Sequence, residues 1–336
     1  MASKILAIKF KYLGDVVVMV PALRALRAQY PDAELHVLVA EEAAPLISGL
    51  GWIDRIWGLP RSRGEARIFE TMPMIKQLRA EKFDRSVDFV GNDRGALLSR
   101  LIGAKERLGV HPQRGSRTRR VCYTETIEEL DTTRHETIRD FYVLTPWETP
   151  APAHWELELA LANKESKVEN DTAKSPIICH LSTSQRKKEL PVQLWAQVGQ
   201  RLTAAGHDVF FSSGPSDREW QLLQDLRKVD PDAEIIGKSD SLIAFAKTLS
   251  QAKLFISPDT APLHIAAGLG VPTLGLFGPT SPERWSPPGK QHRTLKGGFC
   301  ICSGHLETCA QASRCIDTIS SELVTETALT MLQANV

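Results

Sequence analysis

Asp15 follows Leu13-Gly14, at the point where the apolar run Lys4–Phe10 gives way to a helical pattern. A carboxylate at the carboxyl end of a strand can take a proton from an attacking hydroxyl, and the same residue type also caps helices. In the second half, Ser182, Thr183 and Ser184 follow the apolar run Ile177–Leu181 and can donate hydroxyl hydrogen bonds to phosphate. Arg186-Lys187-Lys188 come next, a cationic turn whose plainest role is solvation. The segment Ser257–Ala267 passes from a strand into a helix near Thr260, with small residues Ala261, Ala266, Ala267 and Gly268. Free N–H groups and the positive dipole end at such a terminus suit a phosphate. Asp259 or Thr260 can equally be a plain cap, and His264 a structural histidine.

Two arginine clusters stand in the first half: Arg61, Arg63 and Arg67, then His111, Arg114, Arg117, Arg119 and Arg120 in a loop-like stretch with Gly115 and Ser116. Guanidinium groups bind carboxylates and phosphates bidentately. The alternative is a solvated loop. Cys300, Cys302, Cys309 and Cys315 also cluster, but their C-x-C start departs from the usual C-x2–4-C of a structural zinc site. Structural thiols are the preferred reading, with a disulfide or an iron–sulfur or zinc site as the alternative. Cys122 and Cys179 read as buried apolar fillers.

The elements that must position these groups alternate. Lys4–Phe10 is a strand, Val16–Gln29 a helix with Pro21 early in it, and Glu34–Val39 a strand. The rhythm continues through Arg55–Leu59, Phe69–Arg79 and Ser86–Val90. It restarts with Ile177–Leu181, Val192–Ala205, Asp208–Ser212, Glu219–Lys228, Glu234–Ile236, Ser241–Ala252, Leu254–Ser257, a helix from Ala261 and Thr273–Phe277. Such alternation implies α/β domains with parallel sheets covered on both faces. Between the halves lie three prolines in Pro146–Pro152, a strand-like Trp155–Leu161 and a polar stretch rich in Lys, Glu and Asn. The expected division is residues 1–162, a linker over 163–175, and residues 176–336, with the last helix free to pack back on the first domain. Two domains also fit the length of 336 residues, at about 100–200 residues each.

The chain is 42% apolar and 24% charged, with 41 Lys+Arg against 40 Asp+Glu. This excludes a disordered chain, and a net charge of +1 argues against a nucleic-acid partner. No apolar run approaches the roughly 18 residues of a membrane span, and Lys9, Lys11 and Asp15 break up the N-terminal run, so a cytoplasmic protein is expected.

The stretch Asp259-Thr260…His264…Ala267…Gly270-Val271-Pro272-Thr273…Phe277-Gly278-Pro279-Thr280…Pro282 resembles the bacterial ADP-heptose:lipopolysaccharide heptosyltransferases of glycosyltransferase family 9. So do Leu13-Gly14-Asp15 with Pro21-Ala22-Leu23, and His180–Ser184 leading to Lys188-Glu189-Leu190-Pro191 and Trp195. Leu190 stands where an aromatic is usual, which leaves the register of the two lysines open. The resemblance implies a GT-B architecture, two Rossmann-like domains facing each other across a cleft. It also implies inverting, metal-independent transfer of heptose from ADP-L-glycero-D-manno-heptose to the lipopolysaccharide inner core, transiently at the cytoplasmic face of the inner membrane.

In that frame Asp15 is the general base, and Lys188, or Lys187 beside it, neutralises the diphosphate leaving group. Ser182, Thr183, Ser184, Asp259, Thr260, Ala261 and His264 hold the donor, with Asp217 or Glu219 near its ribose. Gly14 and the arginines Arg61, Arg63, Arg114, Arg117, Arg119 and Arg120 hold an anionic acceptor. The alternatives are another nucleotide sugar, a catalytically silent sugar-nucleotide-binding protein, and a GT-B-fold epimerase. Asp15 and Lys188 argue against silence, and the arginines against an epimerase, which has no large anionic acceptor. No cofactor and no metal are expected, because Lys188 and the helix after Thr260 supply the positive charge. Transfer is therefore expected to run at full rate in EDTA. Strict dependence on added Mg²⁺ or Mn²⁺ would overturn this.

Overall fold

The computed structural model describes residues 3–60, 68–111, 117–128, 131, 133–161, 175–300, 309 and 314–334. The linker expected over 163–175 falls almost wholly outside them. The chain divides into two units. One comprises Met1–Trp155 with Leu159–Asn163, and the other Glu156–Glu158 with Lys164–Val336.

The first unit runs β1 (Lys4–Lys9), α1 (Leu13–Gln29), β2 (Glu34–Ala40), α2 (Ala44–Ile47), β3 (Arg55–Leu59), α3 (Ile68–Ala80), β4 (Arg85–Asp88), α4 (Asp93–Ile102), β5 (Glu106–Val110), α5 (Arg117–Cys122), β6 (Glu125–Ile127) and α6 (Glu136–Val143). Its sheet is parallel in the order β3-β2-β1-β4-β5-β6. The second runs β7 (Ile177–His180), α7 (Val192–Ala204), β8 (Val209–Ser212), α8 (Asp217–Val229), β9 (Glu234–Ile235), α9 (Leu242–Leu249), β10 (Leu254–Pro258), α10 (Ala261–Gly268), β11 (Thr273–Phe277), α11 (Pro282–Trp285), β12 (Arg293–Lys296) and α12 (Ser321–Ala334). Its sheet, also parallel, is ordered β12-β11-β10-β7-β8-β9. Both are the doubly wound order, in which the winding reverses between the first and fourth strands.

The central strands are buried on both faces, as parallel strands sandwiched by helices must be: Ile5–Ile8 and Leu254–Ile256 are near-continuous apolar runs with almost no exposure. The second core gathers Trp195, Phe211, Ile256 and Leu276, with Val324, Ala328 and Met331 of α12. The last helix thus packs against α7 within its own unit.

Two expectations change. Trp155–Leu161 forms no strand: Leu157 and Leu159 are buried between more exposed neighbours, but among the described residues no ladder partner pairs with them. A two-residue period reports alternating burial, and pairing is a separate condition. Gly49 helps this segment through, since a Cβ there would lie 1.9 Å from the Ala160 carbonyl oxygen. The stretch holding Arg117, Arg119 and Arg120 is not wholly loop, because α5 contains all three.

At the end of β4 the Asp88 carboxylate is fully buried, accepting from the Val90 N–H (2.8 Å) and the Tyr123 hydroxyl (2.5 Å). Gly95 leaves room for it, since a Cβ there would meet Oδ2 at 2.3 Å. Burial pushes this carboxyl from 3.8 up to about 6, against the pull of Tyr123, two backbone N–H groups and Arg119. The folded protein therefore keeps a proton that the unfolded chain releases. The stability this contributes is fully present below about pH 4 and is lost as the pH rises through about 6. Asp88→Asn should gain on the unaltered protein by about 2 kcal/mol from pH 4 to pH 7, at about 1.36 kcal/mol per unit of difference. Urea melts across that range check this. A stability difference independent of pH would show that Asp88 does not titrate as described.

Candidate functional site

In the first unit the chain leaves β1 at Lys9 and turns through Phe10–Tyr12 into α1. The cap position belongs to Tyr12, extended at φ −132° and ψ 158°, and its side chain caps nothing. Asp15 is therefore not the N-cap. It sits in the first turn with Gly14, both buried, where the helix dipole favours negative charge. That is the carboxyl edge of β1, beside β4, where the winding of the sheet reverses.

Beneath this turn lies a buried ionic cluster. Lys9 Nζ is 2.5 Å from Asp140 Oδ2 and 3.9 Å from Glu136 Oε1, and Glu136 also receives Arg139 at 2.9 Å. Burial pushes the Asp140 carboxyl up to about 7. The Lys9 ammonium opposes that rise, and Glu136 and Asp15 add to it. Burial disfavours charge on Lys9, but Asp140, Glu136 and Asp15 outweigh it and hold the ammonium protonated. Nothing in the local sequence announces this cluster, because Lys9 and Asp140 are 131 residues apart.

Of the arginines, Arg61, Arg63, Arg67 and Arg114 lie outside the described residues. Arg117 and Arg120 are exposed on α5. Arg119 is engaged within the fold, its Nη1 donating to the Gly91 carbonyl (2.8 Å) and its Nε lying 3.2 Å from Asp93. Arg94, which sequence reasoning passed over, lies 5.2 Å from the Phe10 ring centroid, beside the Asp15 turn.

In the second unit, the loop after β7 meets the one after β10. Lys188 Nζ is 2.7 Å from Asp259 Oδ2, and both side chains are largely buried. The backbone thus separates two adjacent lysines: Lys188 reaches Asp259, and Lys187 is buried. Leu190, the departure from the family pattern, is buried in the core with Trp195. Burial pushes the Asp259 carboxyl up, but Lys188 and His264 outweigh it and hold it below the usual range. His264 Nε2 is 4.0 Å from Asp259 Oδ1, and its ring stands edge-on to Trp285. Thr260 occupies the N-cap of α10 without a side-chain cap bond, and Ala261 is its first residue.

The hydroxyl residues divide by environment. Ser182 is buried and accepts from the Gly214 N–H at 2.7 Å, tying the loops after β7 and β8 together. Thr183 Oγ1 donates to the Gln185 carbonyl, whereas Ser184 is exposed. Sequence reasoning missed the brace on this loop, the buried Glu189 paired with Arg218 at 2.7 Å. Glu189 Oε1 in turn accepts from the Thr183 N–H. Asp217 does not cap α8. Ser216 does, in a capping box with Glu219, while Asp217 is exposed and paired with Lys238 at 3.0 Å.

The chain's one Asp-x-Asp, Asp230–Asp232, is the turn between α8 and β9, at the amino edge of the sheet. Among the described residues no cluster of three or more His, Cys, Asp or Glu could hold a metal. Cys302 and His305 lie outside them. Cys122 and Cys179 are buried as expected, and burial pushes both thiols up.

Both doubly wound units carry charged groups at their winding reversals. Residues 72–305 match glycosyltransferase family 9 (heptosyltransferase). The chain belongs to glycosyltransferase family 9. It is 26% identical over 298 residues to an Escherichia coli lipopolysaccharide heptosyltransferase 3, covering 82% of this chain and 84% of that one. A family 9 glycosyl transferase from Veillonella parvula superposes with a TM-score of 0.82 at 19% identity, covering 99% and 97% of the two chains. The E. coli heptosyltransferase WaaC with ADP-2-deoxy-2-fluoro heptose gives 0.76 at 18%, covering 97% and 99%. The architecture is GT-B and the enzyme is a glycosyltransferase.

Removing Lys188 would leave the buried Asp259 without its counter-ion. Lys188→Met is expected to cost on the order of 3 kcal/mol in urea unfolding at neutral pH, and Lys188→Met/Asp259→Asn to recover most of it. The stability from this carboxylate is present above its ordinary 3.8 and lost as pH falls through its depressed folded value. A single variant as stable as the unaltered enzyme would mean the pair carries no such energy.

Proposed function

We propose that this glycosyltransferase moves heptose from ADP-L-glycero-D-manno-heptose to the lipopolysaccharide inner core, with inversion and without a metal, at the cytoplasmic face of the inner membrane. The observation that carries the reading is the Lys188–Asp259 pair at the winding reversal of the second sheet, beside the start of α10, in a family 9 chain. The names of its relatives support heptose and lipopolysaccharide. Among the described residues no helix is long and apolar enough to cross a membrane, and contact with the membrane surface would be transient.

The acceptor hydroxyl attacks the anomeric carbon as its proton passes to Asp15. The bond from that carbon to the diphosphate oxygen breaks, and its electron pair leaves with ADP. Lys188 supplies a cation to the diphosphate and exchanges part of its interaction with Asp259 for it. The N–H groups opening α10 add dipolar support, and Asp259 keeps the ammonium aimed. His264 stands behind Asp259. Ser184 is the exposed hydroxyl of its trio, and Ser182 and Thr183 shape the loop that presents it. Arg117 and Arg120 offer guanidinium groups to an anionic acceptor. Arg119 contributes by fixing α5 to the loop after β4.

Asp15→Asn is expected to lower kcat by about 10²–10⁴-fold with the ADP affinity unchanged. Near-normal turnover would remove Asp15 from the chemistry. Arg117→Ala/Arg120→Ala should raise the acceptor KM at least about tenfold and leave the donor KM alone, since charge-assisted contacts are each worth about 1.5–3 kcal/mol. A shift in donor KM instead would refute the acceptor assignment. Tighter binding of UDP than of ADP would point to another nucleotide sugar.

A further inference from the structure

Lys9 ends β1 and is buried almost completely, as is its partner Asp140. A lysine ammonium inside a protein demands a counter-ion. Lys9 has two, Asp140 Oδ2 at 2.5 Å and Glu136 Oε1 at 3.9 Å, both on α6, which packs along α1. Arg139 holds Glu136 from the far side at 2.9 Å. For folding alone this is a poor use of core space. Well-packed apolar residues of similar volume commonly match or exceed a buried pair in stability. The arrangement becomes intelligible from what else it touches electrostatically. Asp15, six residues on and in the first turn of α1, interacts with both Lys9 and Asp140.

We infer that Lys9 is a positioning residue for Asp15: its ammonium, anchored by Asp140 and Glu136 at the end of β1, keeps the Asp15 carboxylate oriented in the first turn of α1. The inference rests on the reading of Asp15 as the base. The charges facing Lys9 are Asp15 from α1 and Glu136 and Asp140 from α6. The anchor is as necessary as the cation. A lysine side chain without Asp140 would be free to swing fully onto Asp15, quenching its basicity and pulling it from the acceptor. A lysine held by Asp140 and Glu136 supports Asp15 without capturing it. When Asp15 takes the acceptor's proton, one negative charge leaves the cluster, and Lys9 turns wholly to Asp140 and Glu136.

The test separates holding the fold from holding the base. Lys9→Gln, Asp140→Asn and the double variant are compared by urea unfolding and by steady-state kinetics in both substrates. Each single variant removes one member of the closest buried pair, Lys9–Asp140, and should lose stability. The double variant removes both members of that pair and should regain most of it. Its kcat should nonetheless stay about tenfold or more below that of the unaltered enzyme, with both KM values within about twofold. Lys9→Arg, which keeps the charge, should turn over faster than the double variant. A double variant that recovers kcat together with stability would overturn the inference, as would Lys9→Arg no faster than the neutral pair. An inactive Asp15→Asn beside a fully active double variant would reject Lys9 alone, whereas a fully active Asp15→Asn would reject the base as well.

Discussion

A parallel sheet delivers the carboxyl end of every strand to one edge, and in both halves of this protein that constraint decides where chemistry can sit. Within each half the winding reverses once, between β1 and β4 and between β7 and β10. The loops diverge there, and the edge opens between them. Asp15 leaves β1 at the first reversal. Lys188 and Asp259 leave β7 and β10 at the second, and their side chains meet across it.

Charge at these two places is handled differently. In the second half the Lys188–Asp259 pair stands next to a helix start, and Lys188 keeps some exposure. In the first half the Lys9 cluster is sealed, with Glu136 and Arg139 completing it. A sealed cluster cannot bind substrate, but it can hold a neighbouring group still, because a low-dielectric interior strengthens each interaction and penalises every unpaired one. The first half thus encloses its charges at the end of β1, whereas in the second half Lys188 of a largely buried pair retains partial exposure.

The loops that shape the second site are braced by groups that do not face a ligand. Ser182 bonds the Gly214 N–H, Glu189 pairs with Arg218, and Glu219 closes the capping box with Ser216. Candidate ligands and loop braces are drawn from the same residue types on the same short segments, which is why residue type alone cannot divide them.

The amino-acid sequence by itself determined the alternation of strand and helix, the two-part division and the candidate loops. Those features are local: apolar runs of strand length, helical periodicity, and small or polar residues where the chain must turn. It also singled out Asp259, directly after a strand, and, through the family resemblance, Asp15 and Lys188 in the turns that follow strands. The tertiary structure alone decided which lysine reaches Asp259, since a one-residue shift in a short turn moves a side chain to another face. It also showed that Arg119 braces a loop, that Trp155–Leu161 joins neither sheet among the described residues, and that Lys9 answers to Asp140. The physical reason is common to all of these. They depend on partners tens to more than a hundred residues away, brought together only by burial, and no period or spacing along the chain records which charge will be enclosed with which.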